Sequence, residues 1–226
     1  MIDAVVFDLD DTICTYRRHG SEVLADAFDH VGAEPIFGIE DYYAVYEEYA
    51  GVAETVEAQR EACFAALAEV AGEAPDLGRA IARAFAADRD HRDVRFQDGA
   101  EAALAALGEA YPLALVTNGA PGMQAKKLEA LGLADVFETV VHGGHDAPAK
   151  PSPEPFYLAI DALSVEPNRA VYVGNSLETD VAGAEAAGLR SAWLTNGPGT
   201  DPGEHEPDYV LSSPSELVDP PWTTTT

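Results

Sequence analysis

Five short runs rich in apolar residues punctuate the chain: Ile2–Leu9, Pro112–Thr117, Glu138–His142, Ala170–Gly174 and Ser191–Thr195. Their apolar positions are consecutive rather than alternating, which predicts strands covered on both faces. Before and between the last four, the pattern changes to a helical period over about 99–109, 122–131, 153–163 and 178–187. Gly132 and Gly188 stand where C-caps belong. Strands alternating with helices predict an α/β fold built on a parallel sheet.

The interval between the first and second strands breaks this rhythm. It is Ala-rich with helical spacing, as in GSEVLADAFDHVGA (20–33) and EAQREACFAALAEVAG (57–72). It far exceeds the usual two to six residues of a β–α loop, so it predicts a helical insert. The organisation expected is a core domain from 1–15 and 96–219, a helical domain over 16–95, and a disordered tail at 220–226.

Charge adds a second layer. Asp and Glu number 40 against 13 Lys and Arg, for a net charge of −27. Such a surface disfavours nucleic acid or an anionic membrane as partner. With 47% hydrophobic residues the chain is not composed like a disordered one, so a folded, acid-coated domain is expected. Self-repulsion of that coat is eased by salt, which points to a halophilic, high-salt cytoplasm. The chain opens on a strand rather than a basic n-region with an apolar core, and no run reaches the ~18 apolar residues of a membrane span, so a cytoplasmic, soluble protein is expected. The cysteines, Cys14 and Cys63, form no CxxC or Cys/His cluster, which disfavours zinc or a disulfide framework.

In an open parallel sheet, ligands bind beyond the carboxyl ends of the strands. Those ends carry Asp8, Asp10 and Asp11; then Thr117 and Asn118; then His142, His145 and Lys150; then the loop GNSLETD, 174–180. Asp8 and the 174–180 loop offer the oxygen ligands that a hard divalent cation such as magnesium prefers. A cation beside a lysine neutralises phosphoryl oxygens, and a hydroxyl with free N–H groups at Thr117, Asn118 and Gly119 can complete the cradle. Residues i and i+2 of an extended segment share a side, so Asp8 and Asp10 can divide the work of nucleophile and acid/base while Asp11 faces away.

In this order the residues resemble the haloacid dehalogenase (HAD) superfamily, in its phosphatase branch with a C1-type helical cap. Its DxDxT motif is matched by Asp8, Asp10 and Thr12, its strand-two Thr by Thr117, and its Lys, often followed by Pro-x-Pro, by Lys150. Its acidic fourth loop is matched in part by GNSLETD, where Asn175 stands at a position that is Asp in many relatives. The resemblance implies a Rossmann-like core, a cap inserted after strand one that closes over the substrate, and hydrolysis of small phosphorylated metabolites. It further implies that Asp8 attacks phosphorus, Asp10 serves as general acid and then base, and Thr117, Asn118 and Lys150 hold the phosphoryl group. Magnesium would be bound by Asp8, the Asp10 carbonyl and the fourth loop, with Asn175 and Asp180 as equal candidates.

Other readings stand beside this one. A sugar phosphomutase uses the same Asp pair. A dehalogenase is disfavoured because those relatives typically lack the second aspartate. A receiver-like phosphate-accepting module is about half this length and lacks a helical insert. The chain's lysines are only Lys126, Lys127 and Lys150. Their scarcity singles out Lys150, whereas Lys126 and Lys127, on a helix, read as solvated. His142 and His145 read as loop residues and Glu178 as a helix N-terminal acid. Arg17, Arg18 and His19 are candidates for an anionic substrate group or for surface pairing, and Arg60, Arg89, His91 and Arg92 are weaker candidates in the insert.

Overall fold

A computed structural model describes residues 1–46, 49, 55–195 and 200–223. The chain divides into two units, Met1–Thr15 with Val94–Thr226, and Tyr16–Asp93. It begins with β1 (Ala4–Phe7) and β2 (Cys14–Tyr16). The second unit then supplies α1 (Gly20–Val31), α2 (Ile39–Tyr46), α3 (Val56–Val70) and α4 (Pro75–Asp88). The first unit resumes with β3 (Val94–Phe96), α5 (Ala100–Ala110), β4 (Leu113–Thr117), α6 (Pro121–Ala130) and β5 (Thr139–His142). It ends with α7 (Glu154–Leu163), β6 (Ala170–Gly174), α8 (Ala182–Ala187), β7 (Arg190–Leu194) and β8 (Tyr209–Leu211).

In the first unit, six parallel strands lie in the order β5-β4-β1-β6-β7-β8. Every residue of β1, β4 and β6 is buried, as their unbroken apolar runs require. Alternation sends Val5, Phe7, Leu113 and Leu115 into one core with Leu104 and Leu128. Val6, Ala114, Val116 and Tyr172 go to the other, with Phe156 and Ile160. The chain runs outward from β1 to β4 and β5, then crosses to β6 and beyond. The order therefore reverses beside β1, where the strand ends leave a crevice.

The helical unit is built on an aromatic core. Phe28, Tyr42, Phe64 and Phe85, one from each helix, are buried there with Val23, Leu24, Cys63 and Ile81. The Tyr42 and Phe64 rings meet edge-on at 4.9 Å between centroids. α1 opens at His19, whose ring accepts the Ser21 N–H.

Three features depart from the sequence-based expectation. β3 pairs with β2 in a separate two-stranded ribbon, although residues 20–95 read as lacking strands. β8 adds a sixth strand, too short to show as an apolar run. Residues 220–223 of the expected disordered tail are packed: Pro221–Thr223 form a 3-10 turn and the Trp222 ring lies 5.5 Å from that of Tyr209. Indole is large enough to bring its short segment onto the core edge. Residues 224–226 lie outside the described residues.

Candidate active site

The carboxyl end of β1 begins the site. The Asp8 N–H still donates to the Val173 carbonyl at 2.9 Å, so the Asp8 backbone remains in the sheet while its side chain enters the crevice. The chain then turns, with the N–H groups of Ile13 and Cys14 both donating to the Leu9 carbonyl. Asp11 occupies the turn at φ 57° and is exposed.

Lys150 is the hub of a buried cluster. Its Nζ donates to Asp8 Oδ1 at 2.8 Å, Asp180 Oδ1 at 2.7 Å and the Tyr172 hydroxyl at 2.7 Å, with the Val116 carbonyl at 3.1 Å. The Lys150 and Asp180 side chains are each 2% exposed and that of Asp8 9%. One cation is thus shared by two carboxylates away from water. Burial raises the Asp8 carboxyl to about 7; Lys150 opposes the rise and Asp180 adds to it. Burial also works against the Lys150 ammonium, but Asp8 and Asp180 outweigh it and its pKa is raised.

The groups around Lys150 fix its place. Asn118 grips its backbone in both directions: the Lys150 N–H donates to Asn118 Oδ1 at 2.8 Å, and Asn118 Nδ2 donates to the Lys150 carbonyl at 3.0 Å. Asp180 sits on a π-helical turn, Leu177–Val181, and its Oδ2 accepts the Ser176 N–H at 3.0 Å. Gly174 makes that approach possible, because a Cβ there would overlap the Asp180 carboxylate. Tyr172 was not anticipated. Within an apolar strand its hydroxyl needs a partner, and it takes Lys150, Val116 and Asp180 together.

The opposite side of the crevice belongs to α6. Lys127 Nζ lies 2.5 Å from Asp10 Oδ1, and Gln124 Nε2 donates to Asp10 Oδ2 at 2.8 Å. Gln124 Nε2 also donates to the Thr117 hydroxyl at 2.7 Å. Lys127 is only 1% exposed, which corrects its reading as a solvated residue: a buried ammonium needs a carboxylate, and Asp10 supplies it. Lys126, its neighbour, is exposed as expected. The Gly119 N–H is already spent on Thr117 Oγ1 at 3.2 Å, so it is not the free donor that the sequence suggested.

The oxygen donors present suit a hard divalent cation. Asp8 uses Oδ1 for Lys150, and no hydrogen bond to Oδ2 occurs among the described residues. Asn175 offers an amide oxygen that, among the described residues, accepts only the Thr12 hydroxyl, at 3.2 Å. Two buried carboxylates against one lysine also leave negative charge for a cation to neutralise. Asp180 differs from Asn175 because both its oxygens turn towards Lys150, Tyr172 and the Ser176 N–H.

The remaining candidates pair locally. His142 Nδ1 meets Asp146 Oδ2 at 3.1 Å within their loop. In the helical unit, Arg17 faces Asp93 at 3.8 Å and Arg18 faces Asp26 at 2.5 Å. Arg89 lies over the Tyr16 ring, 3.6 Å from its centroid, and the Tyr16 hydroxyl meets His91 Nδ1 at 2.7 Å. Arg89 and Arg92 line a cleft of about 330 Å³ that also carries Asp88, Asp90 and Asp93. Arg60 is corrected as a substrate-reading candidate: it is 7% exposed and stacks near Phe85 in the core of the helical unit.

Comparison with known proteins bears on this geometry. The model of the haloacid dehalogenase-like hydrolase family matches residues 2–188. Phosphoserine phosphatase of Thermus thermophilus is 39% identical over 159 residues, which cover 70% of this chain and 63% of that protein. The chain spans only about half the length of the N-acylneuraminate-9-phosphatases of mouse, rat and human. Phosphoglycolate phosphatase of Neisseria meningitidis is 30% identical, with 98% of this chain and 88% of that one covered. Among solved structures, 2-haloacid dehalogenase of Pseudomonas syringae superposes with a TM-score of 0.69 at 26% identity, covering 97% of each chain. With a family match over most of its length and a relative aligned nearly end to end, the chain belongs to the haloacid dehalogenase-like hydrolases.

Proposed function

We propose that the chain is a magnesium-dependent phosphatase of small phosphate monoesters that works through an aspartyl-phosphate on Asp8. The observation that carries this reading is the pairing of two carboxylates two residues apart with two different buried lysines, Asp8 with Lys150 and Asp10 with Lys127. Nucleophile and acid/base are held separately, as a two-step displacement needs. The phosphatase names of the relatives agree with it.

In the first step an Asp8 carboxylate oxygen attacks phosphorus, the ester P–O bond breaks, and the departing alkoxide takes a proton from Asp10. In the second, Asp10 takes a proton from water, the water oxygen attacks phosphorus, and the bond to Asp8 breaks to release orthophosphate. Lys150 stays paired with Asp8 throughout and faces the phosphoryl oxygens, while the Thr117 hydroxyl donates to one of them. Asp8, the Asp10 carbonyl and Asn175 would hold the magnesium, which supplies charge neutralisation of the phosphoryl group. Asp180 would act from behind, by fixing Lys150 and the 174–180 loop. The acid coat, at a net charge of −27, supports a high-salt working medium.

The similarity to a 2-haloacid dehalogenase favours a second reading, displacement of halide by the same Asp8. Asp10 weighs against it, since a halide leaves without a proton. The test is a release assay in molar KCl with magnesium, using small phosphoesters in one arm and 2-haloacids in the other. Orthophosphate release that Asp8→Asn abolishes is expected. Halide release alone, or phosphate release that persists in Asp8→Asn, overturns the reading.

A further inference from the structure

Asp10, as the structure holds it, is gripped from one side by two donors on α6. Gln124 is 0% and Lys127 1% exposed, and they lie one turn apart on the same face of the helix. Lys127 takes Oδ1 and Gln124 takes Oδ2, so the carboxylate is fixed at both ends and its side-chain torsions are set by the helix. We propose that Gln124 and Lys127 are positioning residues of the reaction. Together they aim the Asp10 carboxylate at the leaving group, and Gln124 also makes the Thr117 hydroxyl an obligate donor to the substrate anion. This inference rests on the phosphatase reading above.

The chemistry of the amide carries the second half. Gln124 Nε2 has two hydrogens; one goes to Asp10 and the other to Thr117 Oγ1. The flipped amide would set Oε1 against the Asp10 carboxylate, so the orientation follows from charge alone. The cost is visible at the other end, where Gln124 Oε1 is buried with no hydrogen-bond partner among the described residues. Thr117 Oγ1 accepts from Gln124 and from the Gly119 N–H, which occupies both lone pairs. Its own hydrogen is left to point at whatever binds beyond the strand end. Residue 119 must be glycine for this, because a Cβ there would overlap the Gln124 amide.

The two residues should separate in function. Lys127 holds the acid/base, and Gln124 holds both the acid/base and the anion donor. General acid help matters for an alkyl phosphate and little for p-nitrophenyl phosphate, whose leaving group departs as a stable anion. Lys127→Met is therefore expected to lower kcat/KM for an alkyl phosphate by about tenfold to a hundredfold more than for p-nitrophenyl phosphate. Gln124→Leu is expected to show the same leaving-group selectivity. It should also weaken binding of orthophosphate with magnesium, followed by calorimetry, by about tenfold, the worth of one donor to an anion. Lys127→Met should weaken it less. Lys127→Gln carries the first test if the methionine variant does not fold. Equal losses on both esters in folded variants, with orthophosphate affinity falling equally in both, would make the two residues structural only and overturn the inference. A wild-type protein that hydrolyses neither ester sinks the phosphatase reading itself, a different result.

Discussion

Two lysine–carboxylate groups face each other across the same crevice, and they are built differently. Behind Asp8, one ammonium serves two carboxylates, and all three side chains are at most 9% exposed. At Asp10, the Lys127 ammonium meets a carboxylate whose side chain is 40% exposed. The first group is short of positive charge and sealed from water, so Asp8 rises to about 7 and the cluster has use for a further cation. The second is open to solvent on the side of its carboxylate. The same pair of residue types thus yields a sealed, charge-deficient group and a solvent-open one, decided by burial.

Removing the shared ammonium breaks this contrast most severely. Lys150→Met leaves Asp8 and Asp180 buried without a counter-charge and should cost about 3–5 kcal/mol in urea unfolding. The double variant Lys150→Met/Asp180→Asn should recover part of that loss; no recovery would mean that Asp180 does not share the lysine's charge.

The next effect is a pH slope. Because Asp8 titrates at about 7 when folded and at the usual 3.8 when unfolded, folding favours its protonated form. That stabilisation is complete below about pH 4 and is lost as pH rises to about 7. Without magnesium, Asp8→Asn should therefore gain on the wild type across this window by up to about 4 kcal/mol. Parallel curves for the two proteins would remove the charge deficit from the comparison.

The smallest effect separates the groups by screening. The cost of Lys127→Met, about 1 kcal/mol in dilute buffer, should shrink towards molar KCl because Asp10 is open to solvent. The cost of Lys150→Met should hold. The wild type itself should gain stability over that range as its net charge of −27 is screened. Equal stability in low and molar KCl would rule out the high-salt assignment.

The central strands and the helices around them were legible because burial on both faces demands unbroken apolar runs, as in β1 and β6. β8 was not, since three residues carry no period, and Trp222 was hidden in a segment of prolines and threonines. In the site, the strand-end rule located Asp8, Asp10, Thr117 and Lys150 on the elements that the structure brings together. Lys127 was missed because adjacent lysines on a helix suggest solvent. Yet the scarcity that singled out Lys150 applied equally to it, and the Gln124–Lys127 spacing places both on one face. The grip of the Asn118 side chain on Lys150 had no local signal, because its partner is 32 residues away in sequence.

The distribution of lysines has a consequence for chemical labelling. Of three primary amines on lysine side chains, Lys126 is exposed, while Lys127 and Lys150 are buried in ion pairs. An acylating reagent should modify Lys126 at once and reach the other two only when the strand ends open. The mass of the labelled protein, read over time, then counts openings of the crevice one amine at a time.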